Sequence, residues 1–249
     1  MNIVVSCKVV PDDQDIQIAS NGELDYSKAH QIVSTYDLNA IEAAAQLADG
    51  GSVTAIAVGP AAIDDSKLKK NILARGVDNL LMVADDVCAD LDAHATAEAL
   101  AALVQKVEGY DLVVCGDGSA DNYAQQVDVQ LAARLGVPSV NGVTKITPAS
   151  GSVVVERTLE DVVEVVEVPL PAVVSVSPDI ALPRIPGMKD ILAAGKKPAD
   201  VSAATAPYES RVEVVDCKAL EAADRRCEVL DASADGAIEQ FAAALKAAL

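Results

Sequence analysis

Tryptophan is absent from this chain of 249 residues, phenylalanine occurs once (Phe241), and histidine twice (His30 and His94). Aromatic residues make up 2% of the sequence against 51% hydrophobic residues, so the core is built from Ala, Val, Ile and Leu. A surface that reads bases by stacking needs aromatic rings, and five tyrosines are nearly the whole supply. Positive charge is scarce too: 19 Lys and Arg stand against 38 Asp and Glu, a formal net charge of −19. Such a balance repels a phosphate backbone or an anionic bilayer, which excludes nucleic acid as a partner. Two histidines far apart leave little material for a zinc site or a histidine-based triad. The cysteines Cys7, Cys88, Cys115, Cys217 and Cys227 form no CxxC pair. Cys7 and Cys115 sit inside apolar runs, where a free thiol behaves as a small hydrophobe in a reducing compartment. No apolar run reaches the length of a membrane span, and residues 1–10 lack the basic start of a signal peptide. The expectation is a soluble, cytoplasmic protein with no direct membrane insertion.

What is present is an alternation of short apolar runs with helical patterns. Residues 2–10 read as a strand buried on both faces, and 53–58, 79–83 and 112–115 as three more. Helices are predicted at 37–47, 62–74 and 94–107, and a fifth strand near Ser139. Strands and helices in alternation over the first 145 residues predict an α/β fold, doubly wound. The sheet is mostly parallel, with helices on both faces. Beyond residue 146, the Val-rich segments 152–159 and 162–168, split by Glu160 and Asp161, predict a β-hairpin, and 172–176 another strand. Residues 177–198 form a proline-rich segment with local basic charge and isolated apolar residues. Residues 201–206 read as a linker, 212–215 as a short strand and 221–231 as a charged stretch. A terminal helix over 237–249 carries a stripe of Ile238, Phe241, Leu245 and Leu249, which docks on its own core or on a partner subunit. Residues 1–200 are therefore assigned to one α/β domain with the hairpin, and 201–249 to a C-terminal arm.

Residues 111–127 are the stretch on which function turns. A buried strand ends in Gly116 and Gly118, and a helix is predicted to follow with Asp121 or Asn122 as its N-cap, its apolar face holding Ala124, Val127, Leu131 and Leu135. A glycine turn that opens a helix lets backbone N–H groups face an anion, although the same turn also serves as a ligand-free connection. Ligands of such sheets sit outside the carboxyl ends of the strands, where the strand order reverses. The loops after Ser6, Val58 and Gly116 share that edge, joined by Ser34, Thr35, Tyr36 and Asp37 if the first loop folds back. No catalytic constellation emerges. Asp12, Asp13 and Asp15 could hold Mg²⁺ but match an ordinary solvated loop, and Ser119 lies in no nucleophile elbow. The pattern is a binding shelf without chemistry of its own, and no catalytic or metal residues are assigned.

Several segments together resemble the β subunit of electron transfer flavoproteins. They include Val5-Ser6-Cys7-Lys8-Val9-Val10-Pro11-Asp12, Ser34-Thr35-Tyr36-Asp37 with Ala40-Ile41-Glu42, and Val58-Gly59-Pro60. Ala74-Arg75-Gly76-Val77-Asp78, Val155-Glu156-Arg157 with Leu159-Glu160-Asp161, Leu170-Pro171, Pro183-Arg184 and Lys196-Lys197-Pro198 continue the series. The run Gly116-Asp117-Gly118-Ser119-Ala120-Asp121-Asn122-Tyr123-Ala124-Gln125-Gln126-Val127 is similar to the family's nucleotide loop, in a form closest to the Fix type and its carnitine-linked branch. The resemblance implies a Rossmann-like, adenine-nucleotide-binding fold and a heterodimer with an α subunit that carries the redox FAD. Electrons would pass between a flavin-dependent acyl-CoA dehydrogenase and a second redox partner. This chain would hold AMP or a second FAD on Ser6, Ser34 to Asp37, Val58 and Gly116 to Val127. The family's dehydrogenase-recognition loop falls on Pro183, Arg184, Ile185, Met188, Ile191 and Lys196, with Met188 at its apolar anchor. Departures from the family pattern fall on Ser34-Thr35, Asp121-Asn122-Tyr123, Gln125-Gln126-Val127 and Ala181-Leu182, all within the shelf and the docking loop. A stand-alone adenine-nucleotide sensor of the same α/β type is the alternative.

Overall fold

A computed structural model describes residues 1–205, 207–220 and 227–248. Its centre is a nine-stranded sheet. Numbered along the chain, the strands of this sheet are β1 (Asn2–Ser6), β2 (Ser52–Gly59), β3 (Asn79–Ala84), β4 (Leu112–Gly116) and β5 (Ser139–Ala149). They continue as β6 (Ser152–Thr158), β7 (Val163–Pro169), β8 (Ala172–Val176) and β9 (Ala199–Ser202). Their order in space is β7-β6-β5-β8-β4-β1-β2-β3-β9. Every neighbouring pair from β5 to β9 in that row is parallel, while β5, β6 and β7 form an antiparallel meander at one edge. The strand order reverses between β1 and β4, which makes their carboxyl ends the switch point.

The helices are α1 (Thr35–Leu47), α2 (Ser66–Leu73), α3 (Ala93–Val104), α4 (Val127–Leu135), α5 (Met188–Ala194) and α6 (Ala237–Ala248). Alternation along each buried strand assigns α1 to α4 to two faces. Ile3 and Val5 of β1 pack with Ala40, Ile41 and Ala44 of α1 and with Ile72 and Leu73 of α2. Val4 of β1, between them, joins Ala97, Leu100 and Val104 of α3 and Leu131 of α4 on the opposite side. The fold is α/β and doubly wound, as the alternation predicts. Asp65 and Asp92 start α2 and α3 by accepting from first-turn amides, and Gly136, in the left-handed region at φ 69°, ends α4.

Four local readings are corrected. The helix after the glycine turn begins at Val127 rather than near Asp121 or Asn122, so Ala124 lies ahead of it. The cause is local: Tyr123 and Gln125 take positive φ angles of 44° and 54°, which no helix accommodates. Val9 and Val10 leave the sheet and pair antiparallel with Gln31–Val33, folding the long first loop back over the carboxyl edge. Residues 212–215 form no strand. Val201 and Ser202, read as linker, complete β9 against β3. Ala206, residues 221–226 of the charged stretch and Leu249 of the terminal stripe lie outside the described residues.

Candidate functional site

Three strand ends and the start of α1 meet at the switch point. The returning first loop delivers Ser34, whose backbone N–H donates to the Lys8 carbonyl at 2.9 Å. Ser34 sits at the N-cap of α1 but makes no side-chain cap; its buried hydroxyl accepts from the Ala120 amide at 3.2 Å instead. The cap residue is thus turned towards the glycine loop. Asp37, one turn in, is buried and accepts from the Lys8 amide at 2.7 Å. It also accepts from the Gly116 amide, so one carboxyl ties the ends of β1 and β4 together. Burial pushes its pKa up to about 7, against the opposing pull of those two N–H donors.

Glycine is required at two points by close approach. A Cβ on Gly116 would lie 2.6 Å from Asp37 Oδ1, and one on Gly118 would lie 2.3 Å from the Tyr123 ring. The Tyr123 ring also rests against Tyr36, with centroids 5.0 Å apart, and its hydroxyl donates to Asp117 at 2.8 Å. Gln125 donates to the same carboxylate at 3.1 Å. Lys8 Nζ donates to Asp121 at 2.7 Å. Burial alone would raise the Asp121 pKa, but the Lys8 ammonium and the Ser119 hydroxyl hold it below the usual carboxylate range. Gln126 makes no side-chain bond to the first amides of α4, while Asp128 in that turn is buried and accepts from Ser175 of β8 at 2.5 Å.

The arrangement gathers Ser6, Ser34, Thr35, Tyr36, Asp37 and the 116–127 loop about one edge. Val58 lies near the end of β2 on that same edge. Hydroxyls and first-turn amides fit the sugar and phosphate of a nucleotide, and the tyrosine pair offers an aromatic surface. No free cation joins the donor set among the described shelf residues: Lys8 is paired with Asp121, and its backbone N–H donates to Asp37. Cys115 is buried, and burial pushes its thiol up to about 12, so it stays protonated. Burial also raises the Cys7 thiol. Asp12 caps its own turn through the Gln14 amide, and Asp15 holds His30 at 2.6 Å. A cavity of about 560 Å³ opens beside the shelf between α1 and α2; of the shelf residues it touches Thr35 alone.

A second constellation lies on the α1 and α2 side. Arg184 folds inward and forms a two-pronged pair with Glu42 of α1, at 2.6 and 3.0 Å. Beyond it the chain turns outward: Ile185 is 94% exposed, Met188 75%, and Leu192 and Ile191 are exposed as well. Pro183 and Lys196 flank this segment, both on the surface or partly so. Sequence reasoning missed Glu42, Asn39 and Asp128 as buried polar residues. The signal was available for Glu42, a carboxylate set within the apolar run Ala40 to Ala44. Nothing in the sequence points to the Asp128–Ser175 pair, which depends on β8 inserting beside β4.

A family model described as "Electron transfer flavoprotein domain" matches residues 23–207. The chain belongs to the electron transfer flavoprotein family. Members of the family are flavin-associated and generally work as heterodimers. The matched region takes in the glycine loop, the hairpin, the outward-turned segment and β9, and ends where the C-terminal arm leaves the sheet. Among the described residues no helix is long and apolar enough to cross a membrane.

Proposed function

We propose that the chain is the β subunit of a heterodimeric electron transfer flavoprotein of the Fix type. In this reading it passes electrons between a flavin-dependent acyl-CoA dehydrogenase or reductase and another redox partner in the cytoplasm. The redox FAD belongs mainly to the α subunit; this chain holds AMP or a second FAD on the shelf around Gly116 and Ser34. Bound there, the nucleotide supplies either a structural brace or a second flavin, and the chain contributes orientation and electrostatics.

The observation that carries the reading is the arm. After β9 it crosses the sheet edge, with the Arg211 and Val212 amides donating to Asp92, and then touches the first loop through Lys218 and Glu23. Its apolar residues face outward: Val214, Val215, Leu220, Val229, and on α6 Ile238, Phe241 and Leu245. An arm that exposes this much apolar surface beside a nucleotide-type edge suits a partner subunit. Dehydrogenase docking is assigned to the outward segment from Pro183 to Lys196. Co-expression with an α subunit is expected to give a yellow heterodimer. The ligands released on denaturation, two FAD or one FAD and one AMP, identify the shelf's occupant. A colourless chain that forms no complex would remove the proposal.

A further inference from the structure

The outward segment is held by two polar tethers that its exposed apolar residues do not share. At its start, Glu42 is buried and its carboxylate takes both prongs of the Arg184 guanidinium and the Arg184 backbone N–H at 3.2 Å. The Arg184 carbonyl in turn accepts from Arg75 at 2.5 Å. Gly76, at φ 92°, leaves room for the guanidinium; a Cβ there would lie 3.1 Å from Arg184 Nη1. Asn39, one turn of α1 before Glu42, donates to the Pro178 and Ala181 carbonyls at 3.0 and 2.8 Å. At its end, Lys197 Nζ donates at 3.0 Å to the Leu73 carbonyl, where α2 finishes and its carbonyls lack helical partners, and at 2.6 Å to the Val77 carbonyl in the turn beyond.

Between the tethers runs a segment of about a dozen residues, 185–196, in which Ala194 is buried in the core while the large apolar side chains Ile185, Met188, Ile191 and Leu192 stand exposed. A partner that closes on such a segment binds more tightly if the segment is already ordered, because less entropy is lost on contact. A flexible thioether such as Met188 gains most from a fixed backbone, since its own rotamers must still be ordered. From this geometry we infer that Glu42 and Lys197 are positioning residues, which hold the 185–196 segment in its docking-competent form without touching the partner. The ion pair also explains why a carboxylate sits in the apolar run of α1. Hydrogen bonds from Arg184 hold the Glu42 carboxyl below its usual range, so the clamp stays charged across neutral pH. The inference rests on the proposal that this segment docks a dehydrogenase.

Steady-state electron transfer from the dehydrogenase to the purified α/β heterodimer tests it. Glu42→Gln keeps the shape of the side chain and removes its charge. The expected result is a rise of about three- to tenfold in KM for the heterodimer, with kcat and flavin content unchanged. Faster hydrogen exchange of the amides in 188–194 should accompany it. In a Met188→Ala background the effect of Glu42→Gln should largely vanish, because both act through one segment. Lys197→Gln, at the other tether, should reproduce the KM rise should Glu42→Gln fail to fold. Unchanged KM and exchange in both tether variants, while Met188→Ala still raises KM, would overturn the inference and leave the docking reading intact. Fully additive effects of Glu42→Gln and Met188→Ala would overturn it as well. No effect of Met188→Ala would remove the docking reading and the inference together.

Discussion

The carboxyl edge around Gly116 and the segment around Met188 invert each other's chemistry. At the edge, Ser34 and Asp37 are buried and the exposed loop packs on itself, with Tyr123 over Gly118 and Lys8 on Asp121. In the segment, buried Glu42 grips the half-exposed Arg184, Lys197 holds the far end, and the large apolar side chains stand in solvent. The difference teaches where stability and recognition reside. A site whose contacts are internal couples every substitution to folding, whereas a site whose contacts await a partner does not.

The largest effect should come from Asp37. At pH 5, Asp37→Ala strands the Lys8 and Gly116 amides away from water, at ~1–3 kcal/mol for each, read from denaturant midpoints. The difference should shrink as pH rises. The Asp37 carboxyl titrates near 3.8 when unfolded and near 7 when folded, so the folded state binds the extra proton between those values. Parent stability therefore falls as pH climbs from about 4 to 7. Asp37→Asn should lose that slope, and an unchanged profile would show that the carboxyl stays ionised throughout. Next in size, Gly118→Ala drives a methyl into the Tyr123 ring and should cost about 1–3 kcal/mol. Nucleotide recovered per heterodimer should drop with it; a loss of stability at full nucleotide content would break the link between the two. Smaller still, Arg184→Lys keeps a charge but loses the fork and should cost about 1 kcal/mol. Smallest is Met188→Ala, whose melting should shift by less than ~0.5 kcal/mol while electron transfer to the dehydrogenase slows. A large melting shift there would erase the contrast between the two regions.

The doubly wound sheet was legible because its strands carry their own pattern. Ile3, Val4 and Val5 are apolar without alternation, and the structure buries all three. The hairpin was legible for the opposite reason, since Val155 and Val166 alternate with Glu156 and Glu167. The start of α4 was not, because Asp121 and Asn122 resemble ordinary helix caps. Only the fit of Tyr123 onto Gly118, a contact five residues long in sequence but fixed by backbone angles, reveals the loop. Nor was β9, whose four residues Ala199, Asp200, Val201 and Ser202 alternate too briefly and with too little apolar bulk to stand out from a linker, and pair at an edge. The site residues named from the sequence gather at one edge because the first loop returns, a move that Ser34 makes through the Lys8 carbonyl. The tethers of the outward segment join positions up to 142 residues apart, a separation that no local pattern encodes.

The place of β8 in the sheet has a consequence for the order in which the protein forms. During synthesis β1 to β4 can assemble as soon as residue 116 has emerged, since they are mutual neighbours. The meander of β5, β6 and β7 comes next, yet none of its strands touches that half-sheet. Among the described residues its hydrogen-bonded link into the sheet is β8, made after all three, which slides between β4 and β5. Until residue 176 is available the nascent chain therefore carries two unjoined sheets, each with an open edge that nascent-chain chaperones would find exposed.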